Sequence, residues 1–340
     1  MNFKDLCFAL TDISATSGDE KNLSVELMKR LDKYMTCKTD SLGNVIGTCG
    51  SGDFHILLDA HIDQIGLVVR AIDDKGFLLV DRIGSVDLRV LTGSEVIVHG
   101  KEDLFGVICS VPPHLQNGTT SCDLNIKAMA VDIGMSADKS RKMVSVGDRI
   151  TMKCTKNELL NNCISSVSLD NRAGVAAILG ALEIVKDKLK NITLSVLFSV
   201  QEEVGRRGAG SGVFPLNPDC AIVVDVGFGD DAYTDSSFTV KLGKGPSVGI
   251  SPILDKSFFD EIMSVAYMNN IPVQNDVMGR STGTNADSIS VVGNGVKTAL
   301  LSVPLRYMHT YNEVISVSDI KYTSELIAAF LLKKEAELNA

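Results

Sequence analysis

Phe54-His-Ile-Leu-Leu-Asp-Ala-His61-Ile-Asp63 is the stretch that decides the architecture. Ile56, Leu57 and Leu58 are consecutive apolar residues, so the run lacks the one-in-two alternation of a half-wet strand. It reads as a strand over Phe54–Ala60 buried on both faces, the kind found in sheets covered by helices on each side. The run ends on His61 and Asp63, polar residues that a buried strand does not need. The same design recurs. Ile192–Val200 is apolar and runs into Gln201-Glu202-Glu203, Cys220–Val224 runs into Asp225, and Thr298–Val303 is followed by Met308-His309. In an open α/β sheet the carboxyl ends of the strands gather along one edge, where ligands bind. Residues remote in sequence are therefore expected in one cleft.

Around these strands the pattern is helical. Ser17-Gly-Asp-Glu20 has capping-box spacing ahead of an amphipathic run through Leu27, Leu31 and Tyr34. Ala173–Leu189, Phe258–Asn269 and Ser318–Leu338 read as further helices, and Asn44–Thr48 as another strand. Between about Val68 and Asn161 the texture changes to short apolar runs broken by Gly and Asp, such as Gly76–Val80, Glu95–His99, Phe105–Ser110 and Arg149–Lys153. This predicts a small β-rich domain over residues 68–161, inserted into an α/β domain formed by 1–67 and 162–340. An insertion beside the cleft is expected to serve assembly or access to the site.

The 340 residues exceed one ordinary compact core, which agrees with two domains. With 45% hydrophobic and 22% charged residues the composition is that of a globular protein. A net charge of -9 without any Lys/Arg run argues against nucleic acid as a partner. No window approaches the ~20 apolar residues of a membrane span. No signal peptide is visible at Met1 to Leu10, and the eight cysteines (Cys7, Cys37, Cys49, Cys109, Cys122, Cys154, Cys163, Cys220) form no CxxC pair. The expectation is a reduced, cytoplasmic protein with cysteines as small core residues.

His61, Asp63, Glu202, Glu203 and Asp225 end apolar strands, Asp170 sits before a helix and His309 follows a late strand. Packed together unpaired, such carboxylates would repel one another. Two imidazoles with several carboxylates suit borderline divalent ions, and a pair of such ions would both remove the repulsion and lower the pKa of a shared water. Each residue has a plainer reading: Asp170 could cap the helix that follows, Asp225 could be a turn residue before Gly227, and Glu202-Glu203 could be a solvated pair. His55, His99 and His114 lack matching partners and are read as structural or interface residues. Arg206-Arg207 reads as charge balance, and the glycines from Gly205 to Gly212 as a tight turn.

His61-x-Asp63, Ser168-Leu-Asp-Asn-Arg172, Gln201-Glu-Glu-Val-Gly205, Asp225-Val-Gly and Arg306-Tyr-Met-His309 together resemble, in order, the motifs of the M42 family of dinuclear metallo-aminopeptidases. That family includes glutamyl and deblocking aminopeptidases and proteins once labelled cellulase M. The resemblance spans nearly the whole chain. It implies a zinc-peptidase-like mixed sheet flanked by helices, with an inserted β-rich domain. It implies two divalent metal ions per subunit, zinc or cobalt first and manganese as a further option. His61 and Asp225 would be terminal ligands of one ion, Glu203 and His309 would hold the other, and Asp170 would bridge them. Glu202 would be the general base, and Asp63 would orient His61. The implied substrates are peptides with a free N-terminus, and the implied assembly is a homo-oligomer, a dodecamer. Two positions depart from the pattern: Gln64 stands where the family has Glu, and Asn285 where it has Asp. Neither is a proposed ligand, so metal binding should survive while substrate positioning could differ. The alternatives are a metal-independent glycoside hydrolase, disfavoured by the absence of Trp, and a non-catalytic scaffolding homologue, disfavoured because the whole set is present.

Overall fold

The computed structural model describes residues 1–110 and 125–338; His114 and Cys122 lie outside them. The centre is an 11-stranded mixed sheet. Its heart is four adjacent parallel strands in the order Ile192–Ser199, Phe54–His61, Cys220–Phe228 and Lys297–Arg306. All four are almost wholly buried. Antiparallel strands extend the sheet at both sides, Val45–Cys49 and Thr36–Thr39 beyond one edge, Glu313–Ser316 and Cys163–Ser166 beyond the other.

Helices cover both faces. On one, Leu169–Val185 packs with Val317–Glu337, Phe3–Thr11 and Lys256–Met268 over a large apolar core. On the other, Arg207–Val213 and Ala286–Ile289 close over Leu57, Leu197, Val223 and Leu300. This double cover is why the Ile56–Leu58 run has no alternation.

Six strands between Gly66 and Met152 close into a separate barrel, in the order Gly66–Ile72, Leu78–Ile83, Ala130–Asp132, Asp103–Ile108, Glu95–His99 and Arg149–Met152. The barrel has its own interior of Leu67, Val80, Val98, Val131 and Ile150. One short helix, Ala137–Met143, accompanies it.

Three elements differ from expectation. The strand expected to stop at Val224 runs to Phe228, because it pairs with Lys297–Arg306 along its whole length. Its pairing with Phe54–His61 ends earlier, at Val223 opposite Asp59. The two strands therefore part just below His61 and Asp225, opening the sheet where polar residues can face each other. The long helix spans Leu169–Val185, yet Asp170 and Asn171 in its first turn have non-helical backbone angles. Ser17 caps no helix: Lys21–Leu31 starts after Glu20 without a side-chain cap, because Ser17 and Glu20 are engaged elsewhere.

Candidate metal centre

The four parallel strands deliver their ends to one place. Ser199 lies beside His61 in register, and the Gln201–Glu203 loop follows directly. Asp225 lies two residues beyond Val223 on the neighbouring strand. His309 follows Lys297–Arg306 through a loop in which Tyr307 and His309 both adopt positive φ. Asp170 arrives from the turn that opens the long helix. Asn171, not Asp170, caps that helix: Oδ1 of Asn171 accepts from Gly174 N at 2.9 Å, and its Nδ2 donates to Val224 O at 2.8 Å. The Asp170 carboxylate is thus free to face the cleft, and the helix-cap alternative falls away.

Asp170 stands between two groups of donors. Its Oδ1 is 3.0 Å from His61 Nε2, which is 3.7 Å from Asp225 Oδ1. Its Oδ2 is 3.4 Å from His309 Nε2, which is 3.4 Å from Glu203 Oε2. His61, Asp170 and Asp225 each offer a ligand atom within 4.8 Å of the others, as do Asp170, Glu203 and His309. His61, Glu202 and Glu203 form a third such set. All six expected side chains therefore meet.

The cluster asks for positive charge. Burial disfavours a proton on His61, yet the carboxylates of Asp170, Asp225 and Asp63 outweigh it and raise its pKa well above the ordinary imidazole value. His309, also opposed by burial, is raised to about 11 by Asp170 and Glu203. Burial works against ionisation of Asp170, but hydrogen bonds to His309 and His61 hold its carboxyl well below the usual range. Burial pushes Glu202 up to about 8, and raises Glu203 and Asp225 as well. Among the described residues, two protonated imidazoles and the buried Arg172 guanidinium, which acts on Asp63 and Asp170, offset part of this charge. Divalent cations fit the site better, since they carry more charge and take the imidazole nitrogens as neutral ligands.

Asp63 does more than face His61. Its Oδ1 is 3.4 Å from His61 Nδ1, whose nearest partner is the Asp63 carbonyl at 3.2 Å. The same carboxylate accepts from Glu202 N at 2.9 Å, Glu203 N at 3.1 Å and Ser17 Oγ at 2.6 Å. Glu20 Oε1 accepts from Gly18 N at 2.8 Å and from Gln201 N at 3.2 Å. Three consecutive N–H groups of the acidic loop are thus held by two buried carboxylates. Ser17 and Glu20 form no capping box despite the spacing: Ser17 donates to Asp63, and Glu20 holds Gly18 N and Gln201 N instead. Glu20→Ala should remove a charge-assisted hydrogen bond worth about 1.5–3 kcal/mol. The expected result is a lower melting temperature and a fall in kcat larger than any rise in KM, with metal content kept; unchanged steady-state kinetics would refute the anchoring role.

Glu313 was not singled out in the sequence. It is 2% exposed, and its carboxylate accepts from Asp170 N at 3.1 Å and His309 N at 3.0 Å, tying together the backbones of two cluster residues. Burial, and then the Asp170 charge, raise its carboxyl well above the usual range. The available signal was an acid opening the apolar run Glu313-Val-Ile-Ser316.

Gln64 accepts from Ala15 N at 3.2 Å and Arg172 Nη2 at 3.1 Å, and Asn285 donates to Asp59 Oδ2 at 2.9 Å and Ser199 Oγ at 2.8 Å. Both departures from the motifs therefore sit behind the cluster in structural roles. Arg206 pairs with Asp287 rather than with the cleft acids. His55 bonds Ser195, and His99 bonds Asp103 and Thr151, both as structural residues. At Gly208 a Cβ would lie 2.3 Å from Val200 O, so only glycine lets the Arg207–Val213 helix sit on the strand end. The barrel also reaches the cluster: Gly84, at φ +72, is so close that a Cβ would lie 3.2 Å from Glu203 Cβ.

Comparison with known proteins points to one family. The family model described as M42 glutamyl aminopeptidase matches residues 43–326. A putative aminopeptidase of Acetivibrio thermocellus is 32% identical over 95% of this chain and 96% of its own length. The lysyl aminopeptidase of Pyrococcus furiosus is 31% identical over 92% of this chain and 90% of its own. A structure of the Pyrococcus horikoshii TET1 peptidase, which can assemble into a tetrahedron or a large octahedral shell, superposes with TM-score 0.86 at 30% identity, covering 96% of this chain and 98% of that one. With the motifs in order, the fold matched and the family model spanning most of its length, the chain belongs to the M42 glutamyl aminopeptidase family of peptidases.

Proposed function

We propose that this protein removes the N-terminal residue of peptides with the aid of two divalent ions. The observation that carries the reading is that Asp170 belongs to two separate donor sets at once, one with His61 and Asp225, the other with Glu203 and His309. A carboxylate shared in this way is what a bridged pair of ions requires.

His61 and Asp225 would hold one ion and Glu203 and His309 the other, with Asp170 between them. Bound there, zinc or cobalt, with manganese as the further option, polarises the scissile carbonyl and makes water a nucleophile near neutral pH. Glu202 accepts the attacking water's proton on its carboxylate and passes it to the departing amine. Among the described residues its side chain makes no hydrogen bond, which favours that task over a fixed structural one. Asp63 turns the imidazole of His61 and fixes the loop from which Glu202 projects. A free α-ammonium of the substrate is drawn to the remaining negative charge of the cleft, which restricts cleavage to the chain end.

Chelation should abolish hydrolysis of aminoacyl p-nitroanilides, and zinc or cobalt should restore it. Activity that survives complete chelation would overturn the metal-dependent reading and favour a carboxylate-only hydrolase. Assembly as a homo-oligomer belongs to the same reading, supported by the relative from Pyrococcus horikoshii. The mass of the same preparation in light scattering separates an oligomer from a monomer.

A further inference from the structure

The cleft that contains the cluster has a volume of about 960 Å³ and runs sideways along the sheet, beyond Asp225, to the edge strand Gln274–Val277. The register fixes the path. Asp225 pairs with Ser302, Ser302 with Ser247, and Ser247 with Gln274. Three strand spacings, together about 14 Å, separate the cluster row from the edge strand. Asp276 follows Gln274 by two residues and so presents its side chain on the same face.

Asp276 lines this cleft with the cluster residues His61, Asp170, Glu202, Glu203, Asp225 and His309. It is the one acid lining the cleft that the cluster does not use. It is half-buried and, among the described residues, has no hydrogen-bonding or ionic partner. Burial alone pushes its carboxyl above the usual range, with no nearby cation to pull it back. Leu300 and Met278 contribute apolar surface to the same lining. The cleft's one arginine, Arg206, is already paired with Asp287. The cleft thus reaches sideways, past both hydroxyl and apolar side chains, to an acid without an ionic partner among the described residues, and the one cation in its described lining is already paired. A long aliphatic stem with a cationic head matches that arrangement, since the stem buries along apolar surface while the head finds a partner.

We propose that Asp276 is the specificity-determining residue of the cleft and selects peptides whose first residue is lysine or arginine. This inference rests on the aminopeptidase reading above. The ammonium or guanidinium of the substrate's first side chain pairs with the Asp276 carboxylate while the α-amine and scissile bond lie at the cluster.

The test is kinetics of the full-length, cobalt- or zinc-loaded enzyme on lysine, arginine, ornithine and norleucine p-nitroanilides. Norleucine matches the lysine stem and lacks only the charged head. The expected kcat/KM for lysine exceeds that for norleucine by about tenfold or more, the effect of one partly desolvated charge pair. Asp276→Asn should bring that ratio close to one by lowering the lysine value, with the norleucine value little changed. Should Asp276→Asn fail to fold, Asp276→Glu keeps the charge but brings it one methylene closer, and should move preference from lysine toward ornithine. Equal or better turnover of norleucine by the wild type, a ratio unmoved in Asp276→Asn, or no shift toward ornithine in Asp276→Glu would each overturn the assignment. Turnover without a basic preference sinks this inference alone; no turnover of any p-nitroanilide sinks the proposed function with it.

Discussion

Glu202→Gln is expected to lose roughly 10²–10⁴-fold in kcat, the ordinary contribution of a general base, while its metal content stays at the wild-type value. The substitution keeps the shape of the side chain and removes its ability to accept a proton. The metal measurement is the decisive half. Glu202 lies within 4.8 Å of His61 and Glu203 in a third set of donor atoms, so geometry alone would allow it to be a ligand. A ligand would lose an ion when replaced; a base would not. Burial pushes its carboxyl up to about 8, and divalent cations beside it would lower that value and leave it ionised at neutral pH, ready for the proton. Inductively coupled plasma analysis beside a progress curve settles the matter: full activity rejects the base, and a missing ion rejects the separation of base from ligands.

Asp170→Asn should fail differently. It removes the one carboxylate common to both donor sets, so each set drops to two strong ligands and both ions are expected to be lost with activity. The fold should stand, because Asn171 caps the helix and Glu313 still accepts the backbone N–H of residue 170. Metal at a hundred times its Kd stabilises a protein by about 2.7 kcal/mol. In wild type, added zinc or cobalt should therefore raise the melting temperature, and in Asp170→Asn that rise should vanish. A variant that still gains thermal stability from the ions, with wild-type stoichiometry, would show that Asp170 does not join the two halves of the site.

The sequence made some of this legible and hid the rest for a physical reason. His61, Glu202, Glu203, Asp225 and His309 stood out because each follows an apolar run whose burial is dictated by its own composition. A polar residue there has only the end of the sheet to go to. Asp170 was ambiguous between cap and ligand because both uses need a carboxylate before a helix; its neighbour Asn171 took the first use. Glu313 and Asp276 carry no such local mark. Glu313 sits on a four-residue strand whose place depends on pairing with Cys163–Ser166 and Lys297–Arg306. Asp276 sits in Gln-Asn-Asp-Val, a polar edge strand without apolar periodicity. Ser17 and Glu20 had a local pattern, and it misled: capping-box spacing fits a helix start, but contact with Asp63 and Gln201 across the fold fixed their use. Residues whose role follows from their own segment could be read; those whose role is set by distant segments could not.

The closed barrel bears on how this protein can change over generations. Its sheet leaves no strand edge to protect, and its interior is separate from the cores on either side of the large sheet. Loops on such a module can lengthen, shorten or swap their residues at small cost to the rest of the chain. Yet one of them brings Gly84 against Glu203 and Ser85 to the rim of the cleft. Selection can thus revise what is admitted to the cleft by editing a part whose interior is separate from the cores of the large sheet, leaving the strand ends untouched.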